Sequence, residues 1–269
     1  MTSQSAVRIA LLLPDLLGTY GDRGNAVVLA RRLYWRGMPA EIVEVPSGQA
    51  IPGDCDIYLV GGGEDVAQLE ATRLLADSAF PGAVERGAAV LAVCAGLQVL
   101  GRSSTDLEGR VHPGLGLLDV TTGPLPRRAV GEILTAPAEP VASAGLGGEL
   151  LTGFENHRGG TTLGEGAAPL GKVIAGVGNG DGAEGVVAGR VIGTYLHGPV
   201  LARNPALADH LLTLATGEAM EPLRLDDIGE LRRDRFGAAR VRRRTWVRRL
   251  SAALTPRRWL TPGMPDPRR

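Results

Sequence analysis

Aromatic side chains are scarce in this chain of 269 residues, at 4% of positions, and cysteine occurs only twice, as Cys55 and Cys94. With so few rings, a core has to rest on Leu, Val, Ile and Ala. Two cysteines, neither in a CxxC pair, make no disulfide framework. The opening stretch MTSQSAVRIALLLPDLLG lacks a basic segment and reaches Pro14 and Asp15 after a short apolar run. It reads as a first strand, not a signal peptide. No apolar run approaches the roughly 20 residues that span a bilayer. Internal repeats are missing too, and the 39 glycines gather at apparent turns without a period, which excludes collagen-like and low-complexity chains. The expectation is a cytoplasmic protein with reduced thiols.

Net charge is also absent, but the zero is a cancellation. Residues 230–269 hold 13 of the 29 basic residues and only Glu230, Asp234 and Asp266 as acids. The first 229 residues carry 16 basic and 26 acidic side chains, so an acidic body bears a basic tail. At 44% hydrophobic residues, the chain has ample material for one large domain or two small ones.

What is present alternates. VRIALLL is a short apolar run, and NAVVLARRLYWRG has helical spacing, with Asn25 placed to cap its start and Gly37 to end it. AEIVEV alternates at period two, CDIYLVGGG is an apolar run stopped by glycines, and EDVAQLEATRLLADSAF is helical again. GAAVLAV followed by AGLQVLG repeats the theme. Strands separated by helices predict an α/β fold on a mostly parallel sheet, with chemistry at the carboxyl ends of the strands. Between about 105 and 195, LEGRVHPGLGLLDV, GEILTAP, LLTGFENHRGGTTL and GRVIGTYLHGP predict added antiparallel or mixed strands. NPALADHLLTLATG closes this part as a helix with a Gly217 stop. The organisation expected is one domain over 1–225 and a basic, partly helical tail over 226–269, broken by Pro256.

Cys94 stands where an apolar strand meets a helix, in AVLAVCAGLQVLG. Unpaired N–H groups and the helix dipole at such a point favour an anion and lower a thiol's pKa. Small neighbours, here Ala92, Ala95 and Gly96, permit the tight elbow that presents a nucleophile, and the Ala95 N–H would face a developing oxyanion. A buried free cysteine is the plain alternative, and it is the reading preferred for Cys55. A thiolate needs a base. His112 lies in a turn and His210 inside an amphipathic helix, which leaves His157 in GFENHRGG and His197 in VIGTYLHGP. His197 ends an apolar strand at the edge where such chemistry gathers and is the preferred base. YLVGGGED lacks the P-loop Lys-Ser/Thr and does not fit GxGxxG. Its remaining use is close backbone approach, with N–H groups of Gly62 or Gly63 facing an oxyanion. YGDRGN at 20–25 reads as a turn and helix cap through Tyr20, Asp22 and Asn25.

In this order, LVGGGED, AVCAGLQVLG and GTYLHGPVLARNP resemble the class I (triad-type) glutamine amidotransferases over roughly residues 7–215. The histidine segment is similar to that of the branch holding the cobyric acid synthase glutaminases. YGDRGN, GFENHRGGTTL and TYLHGP look most like the GatD-type subunits of lipid II isoglutaminyl synthases. The resemblance implies a flavodoxin-like sheet and hydrolysis of L-glutamine to glutamate and ammonia, with Cys94 as nucleophile and His197 as general acid and base. It implies Arg128, in RRAVGE, as the clamp for the glutamine α-carboxylate. It also implies a MurT-like Mur-ligase partner that handles lipid II and carries ATP and Mg, with no cofactor or metal in this chain. The usual His-x-Glu is absent, because Gly198 and Pro199 follow His197, so an orienting acid is expected from the partner. Ala92 stands where many relatives have glycine, which is tolerable if the backbone there is not left-handed.

For the tail, with Trp246, Leu250 and Trp259 among arginines, a solvated or partner-docked helix is preferred over contact with anionic lipid at the inner membrane face. No nucleic-acid module is recognisable. Two rivals remain: a glutaminase serving a cobyrinate-type or pyridoxal phosphate synthase, and a non-catalytic binding protein on the same flavodoxin-like sheet.

Overall fold

The computed structural model describes residues 5–18, 21–146, 148–223, 229, 230 and 232–239. In chain order its first half contains β1 (Val7–Leu12), α1 (Arg23–Tyr34), β2 (Ala40–Val45), β3 (Ile57–Val60), α2 (Asp65–Ala76), α3 (Phe80–Glu85), β4 (Ala89–Val93) and α4 (Ala95–Leu100). There follow β5 (Ser103–Thr105), β6 (Val111–Pro113), β7 (Val120–Pro137), β8 (Leu151–Leu163), β9 (Gly171–Ala175), β10 (Ala183–Glu184), β11 (Val186–Ala188) and β12 (Val191–Thr194). Helices α5 (Val200–Arg203) and α6 (Pro205–Thr216) come last among the named elements.

The apolar runs pair as the pattern requires. The main sheet has the order β11-β12-β4-β3-β1-β2, parallel throughout except where β11 meets β12. Every residue of β3, β4 and β12 is buried, as expected of central strands covered on both faces. The covering helices form two groups in mutual contact, α1 with α5 and α6, and α2 with α3 and α4. This is the flavodoxin-like arrangement. GRVIGT, read only as added structure, joins this main sheet as β12, parallel to β4. The second sheet, β10-β9-β7-β5-β6 with β8 on β7, is the added mixed structure, antiparallel except where β5 meets β7. Its long β7–β8 ribbon reaches back to the main sheet through a bridge between Phe154 and His197.

Two helix ends test the local reading. Gly217 ends α6 in a left-handed conformation (φ 74°), its N–H on the Thr213 carbonyl at 2.9 Å, as its position after the last periodic residue predicted. Asn25 does not cap α1. The helix begins earlier, at Arg23, with Asp22 at the cap position and no side-chain capping bond. The Asn25 amide oxygen instead accepts the N–H of Leu201 at 3.0 Å. A buried backbone donor on a distant segment thus takes the side chain that local propensity had assigned to the helix end.

Helix α1 is tied to α6 by charge. Arg32, only 2% exposed, donates from Nε to Asp209 at 2.7 Å, and Arg36 donates to the same carboxylate at 2.9 Å. Residues 232–239 of the basic tail are helical, and Arg232 donates to the Arg203 and Leu150 carbonyls at 2.6 and 2.8 Å. Ala239 is buried with Leu134 and Ala175 in a small apolar cluster that Phe236 also touches. The tail beyond Ala239, including Trp246, Leu250, Pro256 and Trp259, lies outside the described residues.

Removing one partner of a buried ion pair leaves an uncompensated charge, at a cost of roughly 3–5 kcal/mol. Asp209→Ala is therefore expected to lose about that much stability in urea unfolding, and Arg32→Met in the same chain to recover most of it. A loss within about 0.5 kcal/mol of zero, typical of an exposed surface change, would show that Arg32 finds solvent.

Candidate active site

The chain turns sharply at the end of β4. Cys94 has φ 53° and ψ −106°, in a region that a residue with a side chain enters only at some cost. The turn is held from both sides by backbone. The Cys94 N–H donates to the Thr194 carbonyl at 2.8 Å, and the Gly96 N–H to the Gly61 carbonyl at 3.1 Å. A side chain at Gly96 would put its first carbon 2.4 Å from the Val60 carbonyl oxygen, so only glycine lets the elbow seat against the turn after β3. Ala92 lies inside β4, paired with Val60 and Gly193, and its φ is not positive. Its departure from glycine is harmless for that reason.

His197 emerges from the neighbouring strand. Thr194 is paired with Val93, so Cys94 and the Tyr195–His197 segment leave the sheet at the same edge. The His197 backbone is fastened by reciprocal hydrogen bonds with Phe154 at 3.0 and 3.1 Å, and Gly198 follows with φ 130°. The buried carboxyl of Glu184 accepts the Thr194 hydroxyl at 2.8 Å and the Tyr195 N–H at 2.7 Å, just before the histidine. Burial raises the pKa of Glu184 to about 7. A cavity of about 330 Å³ beside Gly198 is lined by Glu132, Phe154, Arg203 and Arg232.

Electrostatics at the site are governed by burial. The Cys94 thiol is pushed up to about 12 by desolvation, against the pull of the Ala95 N–H; Asp22 raises it further, Arg128 lowers it and Glu64 raises it. The helix-terminus effect expected from sequence is therefore outweighed, because withdrawal from water disfavours the thiolate more than one amide favours it. His197 is lowered to about 4, by desolvation first and then by His157. The two candidate reactive groups rest neutral.

The other predicted residues divide. Arg128 sits where the β7–β8 register shifts, between Pro124 and Ala129. Its Nε donates to the Asn156 side chain at 2.8 Å, and its charge acts on Cys94 from a residue 34 positions away in sequence. The Gly62 N–H donates to the Asp22 carboxylate at 2.8 Å, which removes Gly62 as an oxyanion donor in this state. Gly63 and Ala95 are the amides left. Glu64, whose charge reaches Cys94, was not singled out from sequence; an acid directly after the glycines was its only mark. His157 is stacked on Tyr195, ring centroids 3.9 Å apart, with Nδ1 on the Gly159 carbonyl at 2.8 Å. It is wedged in the ribbon. His112 pairs with Asp106 on β6 and β5's connecting loop, and His210 is half-buried on α6. Cys55 is a buried free thiol at the start of the β3 region. Among the described residues no group of three His, Cys, Asp or Glu side chains could hold a metal ion, and no helix is long and apolar enough to cross a membrane.

The family model for the CobB/CobQ-like glutamine amidotransferase domain matches residues 8–205. The lipid II isoglutaminyl synthase (glutamine-hydrolyzing) subunit GatD of Staphylococcus aureus (strain N315) is 36% identical over 227 residues, covering 81% of this chain and 89% of that protein. The corresponding GatD subunit of Streptococcus pneumoniae (strain ATCC BAA-255 / R6) is 33% identical over 220 residues, covering 78% of this chain and 80% of its own length. Among solved structures, PurLQS from Thermotoga maritima superposes with a TM-score of 0.54 at 15% identity, over 79% of this chain and 99% of that one, a likeness of fold.

The neutral resting thiol has a measurable consequence. Below its pKa the thiolate fraction grows tenfold per pH unit. Iodoacetamide labelling of Cys94 in the protein without glutamine is expected to rise about tenfold per unit from pH 7 to 10 without a plateau, read by mass spectrometry of the Cys94 peptide. A plateau near pH 8 would mean that the elbow holds a thiolate at rest.

Proposed function

This chain belongs to the CobB/CobQ-like glutamine amidotransferase family, and we propose that it is the glutamine-hydrolysing subunit of a lipid II isoglutaminyl synthase. The observation that carries the finer reading is the 36% identity to a GatD subunit across 89% of that protein's length. In this reading Cys94 and His197 perform the hydrolysis, residues 1–225 form the amidotransferase unit and 226–269 a basic extension. The ammonia passes to a MurT-like, ATP- and Mg-dependent Mur-ligase partner. That partner amidates the D-glutamate α-carboxyl of the peptidoglycan stem on lipid II, and the pair works at the cytoplasmic side.

The chemistry proposed uses the groups gathered around the Cys94 elbow. Glutamine binds with its α-carboxylate on Arg128, whose guanidinium is suited to a bidentate grip, and Glu64 offers the opposite charge toward the α-ammonium. Sγ of Cys94 attacks the side-chain amide carbon as its proton passes to His197. A neutral histidine can accept that proton, and burial keeps His197 neutral down to about pH 4. Negative charge on the tetrahedral oxygen is met by the N–H groups of Gly63 and Ala95. His197 returns the proton to the leaving nitrogen, ammonia departs and a γ-glutamyl thioester remains. Water, deprotonated by His197, cleaves the thioester and releases glutamate. The partner supplies the acid that orients His197.

Glutamate release from glutamine tests this, with and without the Mur-ligase homologue, ATP and the lipid-linked substrate. Cys94→Ser is expected to abolish release and His197→Ala to reduce it by at least 10³-fold. Arg128→Ala is expected to raise KM by roughly 10- to 100-fold, the worth of a hydrogen bond to a charged group. The partner should increase turnover and yield amidated product. Cys94-dependent release with no coupling to that ligase would keep the glutaminase and favour another synthetase; no Cys94-dependent release would favour the binding-protein rival.

A further inference from the structure

Asp22, in the YGDRGN segment read from sequence as a turn and cap, has a different employment in the folded chain, while Tyr20 lies outside the described residues. Asp22 stands at the cap position of α1, yet its carboxylate makes no capping bond. It is 2% exposed and reaches across to the turn after β3, where Oδ2 accepts the Gly62 N–H at 2.8 Å. Its other oxygen is buried with no partner among the described residues. Desolvation raises its pKa to about 6. A buried, half-used carboxylate is costly, and this one sits close enough for its charge to act on Cys94.

The turn it grips has no slack. A side chain at Gly61 would begin 1.9 Å from the Leu17 carbonyl oxygen and 2.9 Å from the Asp22 carboxylate, and one at Gly63 would begin 2.7 Å from the Leu16 carbonyl. None of the three glycines has a positive φ. Gly61 and Gly63 are small because Leu16, Leu17 and Asp22 lie against the turn, not because it is left-handed. With the Gly62 N–H committed to Asp22, the N–H of Gly63, the next residue of the turn, has no partner among the described residues. The same helix start also grips the histidine segment. Asn25 accepts the Leu201 N–H, and a side chain at Gly24 would begin 2.2 Å from the Pro199 ring.

We propose that Asp22 is a positioning residue for the oxyanion turn: its carboxylate anchors the Gly62 amide so that the Gly63 N–H is the one presented to the reacting carbonyl at Cys94. This rests on the glutaminase reading. It makes the start of α1 a brace joining the glycine turn to the segment that carries His197.

The test compares wild type, Asp22→Ala and Asp22→Asn in the full chain, assayed with the ligase partner. Active sites are counted by covalent labelling of Cys94 with a glutamine-mimicking diazoketone, so that misfolded molecules drop out of the rate. The alanine variant is expected to lose about 10- to 100-fold in kcat per labelled site, short of or near the loss seen when an oxyanion donor is deleted, with KM within about threefold. Asparagine, which keeps an acceptor oxygen, should recover most of that loss. Amide hydrogen exchange at Gly62 should be slow in wild type and in Asp22→Asn and fast in Asp22→Ala. An unchanged kcat per labelled site in Asp22→Ala overturns the assignment, as does an asparagine variant as slow as alanine, and so does fast Gly62 exchange in wild type. Wild type without Cys94-dependent glutamate release would instead overturn the glutaminase reading, while Gly62 exchange still decides whether Asp22 holds the turn.

Discussion

The candidate site depends on one contact between backbones, the seating of the Cys94 elbow against the turn after β3. Gly96 N–H on the Gly61 carbonyl and Cys94 N–H on the Thr194 carbonyl fasten the elbow to both neighbouring strands. No side chain fits at Gly96, and this closeness lets a cysteine hold a φ of 53°. Strain of that kind persists only where the surroundings over-determine it. Here the surroundings are the buried central strands β3, β4 and β12 of the parallel sheet, and the other features of the site are placed relative to the edge they create.

Burial then sets the chemistry of the resting state. The thiol of Cys94 is raised and the imidazole of His197 lowered, both mainly by loss of water. A neutral pair costs less to bury than a thiolate–imidazolium pair, so enclosure favours the uncharged thiol and imidazole. Arg128 and Glu64 act on the thiol with opposite signs, the guanidinium lowering its pKa and the carboxylate raising it.

The second sheet serves the first. Its β7–β8 ribbon carries Arg128 to Cys94 from a register shift, stacks His157 under Tyr195 and pairs Phe154 with His197. The basic tail adds a short helix to this side, through Arg232 and Ala239. Glu184, from the strand pair at the far edge of that sheet, reaches the residues just ahead of His197. The histidine segment is thus held by β8 and by Glu184, two separate stretches of chain.

Much of this was legible in the residues. Period-two and period-3.6 patterns placed the strands and helices, because those patterns record which face of a local element is buried. The elbow at Cys94 showed in its small neighbours, and the strand-end position of His197 separated it from His157. The sequence by itself therefore determined the parallel sheet, the elbow at Cys94 and the strand edge at which it opens. Tertiary structure alone decided the partners and the charges. Asp22 meets Gly62 across 40 residues and Asn25 meets Leu201 across 176, so no local pattern could say that one would hold the glycine turn and the other would leave its helix uncapped. The raised thiol and the lowered imidazole are likewise properties of enclosure. Whether a group is withdrawn from water is settled only when distant segments close over it.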